Sequence, residues 1–164
     1  MITIREHIPS AAQYNALRNA VGWTTVDPTQ AVAGLRQSLY SICAFDGEDV
    51  IGFVRVVGDG ALYFFGQDLM VNPAYQGSGI GKQLIFAILK YLRENMTVDS
   101  RAAIIAASGR AEAYEKFGFV RAHPNGPAMF WEPKNRDSMN ESGTPQRIDG
   151  DIVSSEENVD CKLL

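Results

Sequence analysis

Gln76-Gly77-Ser78-Gly79-Ile80-Gly81 sets glycine at every second position, directly before a helical repeat. Three glycines leave the backbone bare, so a bulky ligand can touch its N–H groups. Where a helix opens, those N–H groups have no partner within the helix. The helix dipole adds partial positive charge at the same end. Together they make an anion site suited to a pyrophosphate. Downstream, Ile80, Leu84, Ile88 and Leu92 recur at helical spacing, widened by Ile85 and Leu89. Lys82, Gln83, Lys90 and Arg93 fall on the outer face. Upstream, Asp68-Leu69-Met70-Val71 ends a β-prone run that Asn72-Pro73 closes.

Two familiar phosphate loops do not fit. A P-loop places four residues between its first glycine and Gly-Lys, with Ser or Thr next. Here Ser78 to Ile80 separate Gly77 from Gly81-Lys82, and Gln83 follows, so the magnesium-binding hydroxyl is missing. A dinucleotide fingerprint needs G-x-G-x-x-G within a parallel βαβ unit. This loop follows an antiparallel pattern instead. The plain alternative is a tight strand-to-helix turn with no ligand.

Around the loop, the chain reads as alternating layers. Ile2 and Ile4 alternate with Thr3 and Arg5, as in a short half-buried strand. Ser10 with Gln13 forms a capping box, and Tyr14, Leu17 and Val21 mark the apolar stripe of the helix that follows, stopped at Gly22. Asp27-Pro28 opens a second helix running to about Leu39. Tyr40–Phe45, Val50–Val57 and Ala61–Val71 are three strands joined by tight turns, an antiparallel meander. Gly66, inside the third of these, marks a bulge. Residues 102–107 read as a buried strand, 111–117 as a short helix before Gly118, and 119–122 and 128–131 as two last strands. Lys134 to Leu164 holds seven acidic and four basic residues and no aromatic one, so it reads as a polar acidic tail. Ile148, Ile152 and Val153 give that tail the makings of one short strand.

Composition limits the function classes. A net charge of −4 and a pI near 5.1 argue against nucleic acid as a partner and suit a cationic amine. Cys43 and Cys161 are too few for a disulfide framework, which fits a reducing, cytoplasmic setting. Met1–Glu6 is charged and alternating, unlike a secretory leader, and no apolar run reaches membrane-spanning length. His7 and His123 lack partners at metal-ligand spacing, so no metal site is expected.

The loop and its context resemble the GCN5-related N-acetyltransferase (GNAT) family. Its Q/R-x-x-G-x-G/A signature is matched by Gln76-Gly77-Ser78-Gly79-Ile80-Gly81, and its Tyr-x-x-x-Gly-Phe pattern by Tyr114-Glu115-Lys116-Phe117-Gly118-Phe119. The element order from Ile2 to Trp131 is also similar. The resemblance implies an α+β fold: a three-layer arrangement with a mixed, mostly antiparallel sheet whose fourth and fifth strands splay apart, flanked by helices. It implies a GNAT domain over residues 1–133, with 134–164 outside it. Acetyl-CoA is the implied cosubstrate. Leu69, Met70 and Val71 would meet its pantetheine arm, and Gln76, Gly77, Ser78, Gly79, Ile80, Gly81 and Lys82 its pyrophosphate.

The implied reaction is direct transfer of an acetyl group to a primary amine, on a small molecule or a peptide, within a ternary complex. A non-catalytic acyl-CoA-binding sensor or interaction module is the alternative. Tyr114 stands at the family's common acid position, and a phenol is matched closely enough to a thiol to protonate the leaving thiolate. A backbone N–H near Met70 would polarise the thioester carbonyl. Asp68 is the first candidate for the base, since it is a carboxylate in an apolar strand; a hydrogen-bonded structural carboxylate, with a water chain as base, is its rival. Trp23, Tyr40, Phe64 and Phe65 are candidates to wall an acceptor pocket. A homodimer is compatible with the sequence.

Overall fold

Ile42 and Ala44 point one way from their strand while Cys43 and Phe45 point the other, and all four are buried. A sheet apolar on both faces needs a helical layer on each. The computed structural model describes residues 1–106 and 111–121, which belong to one compact unit, Met1–Arg121. The domain boundary expected at 133/134, the tail, His123, Cys161 and residues 128–131 lie outside the described residues.

Among the described residues, five strands form the sheet in sequence order: β1 (Ile2–Glu6), β2 (Tyr40–Asp46), β3 (Asp49–Gly58), β4 (Tyr63–Val71) and β5 (Arg101–Ile104). β1 to β4 pair antiparallel, and β5 runs parallel to β4. The sheet is therefore mixed and mostly antiparallel, as expected. α1 (Ala11–Ala20) and α2 (Pro28–Arg36) cover one face, packing Tyr14, Leu17, Ala31 and Leu35 against Cys43, Phe45, Phe53 and Met70. α3 (Ile80–Asn95) covers the other, setting Ile80, Leu84, Ile88 and Leu92 against Ile42, Val54, Val56 and Phe64. A short helix, α4 (Ala111–Glu115), follows β5.

The helix starts form for the reasons their sequences give. Ser10 Oγ accepts from Gln13 N at 3.2 Å and Gln13 Oε1 accepts from Ser10 N at 3.0 Å, completing the capping box. Asp27 caps α2 by accepting from Thr29 N and Gln30 N.

Several boundaries shift from expectation. α2 stops at Arg36 rather than near Leu39, because Leu39 N already donates to Val56 O at 2.8 Å as the sheet begins. β4 starts at Tyr63, not Ala61, because one Asp59 carboxylate oxygen accepts from the N–H groups of Ala61, Leu62 and Tyr63 and holds them in a turn. Residues 119–121 carry no strand.

The largest correction concerns Gly66. The bulge lies two residues later: Phe53 pairs with Met70 but Arg55 with Gln67, so β4 carries one extra residue there. Asp68 takes up the distortion with φ 59°. It is a non-glycine residue in left-handed backbone, which costs roughly 1–2 kcal/mol unless contacts offset it. Gly66 has a different reason to be glycine. A Cβ there would lie 2.8 Å from Ile104 Cγ2 on β5. Pairing of β4 with β5 ends at Gly66–Ile104, so past the bulge the two strands part. β5 accordingly ends at Ile104 rather than at residue 107.

Candidate active site

The gap between the parting strands opens into two cavities. The larger, about 720 Å³, is lined among the described residues by Leu69 and Val71 of β4, Gln76 and Gly77, the first turn of α3 with Ile80, Gly81 and Lys82, and Gly22 and Trp23 after α1. The smaller, about 330 Å³, is lined by Gly66 to Leu69, by Ile85 and Ile88 of α3, by Ile104, Ile105 and Ala106, and by Arg18 on α1. Trp23, Leu69, Ile85 and Tyr114 belong to both walls.

The glycine loop adopts the conformation its composition calls for. Gly77 and Gly79 sit at φ 80° and 86°, where L side chains are strained. Gly79 is the N-cap of α3, and no side chain caps the helix. The first-turn N–H groups are therefore open to an anion with the dipole behind them, with no acid in that turn to compete. Gln76 Nε2 donates to Val71 O at 3.0 Å, and Ser78 Oγ donates to Tyr75 O at 2.5 Å, so these two side chains hold the loop's shape. Lys82 adds a cation at the groove's wall, its Nζ 5.5 Å from the Phe86 ring centre. Leu69, Val71, Gln76, Gly77, Ile80, Gly81 and Lys82 line the groove. Ser78 and Gly79 shape it from beneath, and the Met70 side chain, 1% exposed, turns away into the α1–α2 core.

Asp68 sits in a polar clamp. Its Oδ2 accepts from Arg55 Nε at 2.6 Å and from Tyr14 Oη at 2.9 Å, and its Oδ1 stands 3.9 Å from Arg18 Nη1. Arg55 continues through Nη1 to Gly34 O at 3.0 Å, so β3, β4, α1 and α2 meet at this carboxylate. Oδ2 is engaged in holding the bulge, and Oδ1 faces a guanidinium. These contacts favour the structural carboxylate that was the rival sequence reading. Removing one partner of a buried pair strands the other, so Asp68→Ala should lower unfolding free energy by about 3 kcal/mol, read by denaturant melts.

The Tyr14 phenol is raised above its ordinary value, mainly by burial and then by the Asp68 charge. The folded state therefore keeps this proton longer than the unfolded chain does. Its contribution is complete below about pH 10 and is lost as pH rises through the folded value. Alkaline destabilisation should be steeper in the native protein than in Tyr14→Phe, measured by melts across that range.

Of the aromatic candidates, Trp23 alone lines these cavities. Tyr40 stacks on Tyr91 at 4.7 Å, Phe64 is fully buried against α3, and Phe65 stacks on Tyr63. His7 packs edge-on against Phe45, and no metal-binding cluster occurs among the described residues. Cys43 is fully buried, and burial pushes its thiol up to about 12, so it is no nucleophile.

A family model described as acetyltransferase (GNAT) domain matches residues 37–121. The chain belongs to the GNAT acetyltransferase family. An uncharacterised N-acetyltransferase, ycf52, of Pyropia yezoensis is 26% identical over 122 residues, 72% of this chain and 69% of that protein. Histone acetyltransferase TAP1 of Glycine max is 32% identical over 132 residues, 73% of this chain but only 56% of its own length. The structure of a probable acetyltransferase, SA2161, from meticillin-resistant Staphylococcus aureus superposes with a TM-score of 0.76 at 29% identity, covering 81% of this chain and all of that one.

The protein is thus an acyltransferase of the GNAT fold, a family that takes acetyl-CoA as cosubstrate and amines as acceptors. The groove fits such a donor: an apolar channel along Leu69, Val71 and Ile85 leads to bare N–H groups and Lys82. No described helix is long and apolar enough to cross a membrane.

Proposed function

We propose that this GNAT protein moves an acetyl group from acetyl-CoA to a primary amine by direct transfer in a ternary complex. The observation carrying this reading is the wall that the two cavities share. Donor groove and acceptor cavity meet at Tyr114, Leu69, Ile85 and Trp23, so a thioester and an amine can face each other there. The bound donor supplies the acetyl thioester. The chain's own residues supply the rest.

The α3 N-terminus, Gln76, Gly77 and Lys82 hold the pyrophosphate end. Leu69, Met70 and Val71 guide the pantetheine arm along β4, and the bulge aims a backbone N–H near Met70 at the thioester carbonyl. The amine forms its new bond to the acetyl carbon as the carbon–sulfur bond breaks. The amine loses one proton and the departing sulfur gains one. Tyr114 is the acid for the sulfur, supported by its place on both walls. We assign the amine's proton to a water chain rather than to Asp68, whose Oδ2 accepts from both Arg55 and Tyr14. If the acidic limb of a kcat/KM–pH profile vanishes in Asp68→Asn, the base role returns to Asp68. Direct transfer is favoured over an acyl-enzyme because Cys43 is buried and protonated. The same buried free thiol supports a reducing, cytoplasmic setting.

Thiol release from acetyl-CoA with a panel of primary amines tests the whole reading. Tight acetyl-CoA binding with no release on any amine would overturn it.

A further inference from the structure

Arg18 is the feature of the smaller cavity that direct acetyl transfer does not explain. Its side chain is only 16% exposed, yet it lines that cavity. Its partners are mostly neutral. Nε donates to Thr24 O at 2.7 Å, Nη1 donates to Tyr14 Oη at 3.2 Å, and the guanidinium lies 5.5 Å from the Tyr14 ring and 5.4 Å from the Trp23 ring. Among the described residues the carboxylate near it is Asp68, whose shorter contact is with Arg55: Oδ2 stands 2.6 Å from Arg55 Nε, while Oδ1 stands 3.9 Å from Arg18 Nη1. Two guanidiniums share one carboxylate, so the described cluster carries an excess positive charge. A charge held out of water among neutral groups is costly unless a countercharge meets it. Among the described residues, Nη2 makes no hydrogen bond, and Arg18 and Asp68 are the charged residues that line the cavity.

We propose that the acceptor is a primary amine that also carries a carboxylate, and that Arg18 reads that carboxylate. The planar guanidinium fork suits a carboxylate better than any other charged side chain would. The rest of the cavity, Val54, Ile88, Ile104 and Ile105, suits an apolar body. An apolar amino acid combines the three parts. Polyamines are disfavoured, because a second ammonium would meet Arg18. This assignment rests on the acetyl-transfer reading above and narrows its acceptor.

The test compares L-leucine with 3-methylbutylamine, the same body without the carboxylate, by thiol release from acetyl-CoA. The native protein should favour leucine in kcat/KM by about 10- to 100-fold, the worth of one charged hydrogen-bonded contact. In Arg18→Met that preference should fall toward one, with most of the loss in KM, and Arg18→Lys should restore part of it. A second measurement needs no variant: 4-methylpentanoate, which lacks the amine, should inhibit competitively against leucine in the native protein. Turnover of 3-methylbutylamine equal to or faster than that of leucine, or no inhibition by 4-methylpentanoate, overturns the carboxylate assignment and leaves acetyl transfer standing. No thiol release with either amine, with acetyl-CoA still bound, overturns both.

Discussion

Tyr114→Phe should lower kcat by about 100-fold or more while leaving the dissociation constant of acetyl-CoA within about twofold. Tyr114 lines both cavities, and in the proposed mechanism its phenol meets the departing sulfur there. Phenylalanine keeps the ring and its edge-on contact with Phe119, whose ring centre is 6.1 Å away. The substitution thus removes the proton and little of the packing. Single-turnover kinetics with equilibrium binding separate the two effects. Equal losses in turnover and affinity would make Tyr114 a packing residue. Unchanged turnover would give the sulfur's proton to another donor.

Gly79→Val should abolish measurable acetyl-CoA binding, a loss of more than about 100-fold. Two causes act together. A β-branched residue at φ 86° is strained by about 1–3 kcal/mol, and relief of that strain reorients the cap of α3. A side chain at the cap also covers the N–H groups proposed to hold the pyrophosphate. Nothing lies within 4 Å of the added Cβ in the protein itself, so the fold has room for the change and the ligand does not. Gly47→Val provides the control. Gly47 is also left-handed, at φ 59° with open space around it, but it lies in the turn between β2 and β3. It should lower the melting temperature and leave binding intact. Isothermal titration of both variants decides the matter.

The parts of this molecule that could be read in advance are those governed by near neighbours. The Ser10–Gln13 box, the Asp27-Pro28 start and the glycine loop each carry their instructions within about four residues, so their structures follow from local chemistry. Strand ends were less legible because partners set them. β5 stops where β4 turns away, and that turn depends on a bulge whose residue is not a glycine. The clamp of Tyr14, Arg18, Arg55 and Asp68 went unread because its members lie up to 54 positions apart. One signal was present. Arg55 and Asp68 are opposite charges in two otherwise apolar strands that a tight turn makes neighbours. Each is an anomaly alone, and each supplies what burial of the other requires.

The wall common to both cavities divides their lining into two classes of position. In the proposed mechanism Trp23, Leu69, Ile85 and Tyr114 answer to two molecules at once, so a change that improves the fit of one disturbs the other. Ile104, Ile105 and Ala106 line the smaller cavity only, which the proposed mechanism gives to the acceptor. Selection for a new amine therefore has a short, separable stretch of chain on which to act. In that mechanism a change of acceptor without a change of donor falls on those three positions rather than on the shared wall.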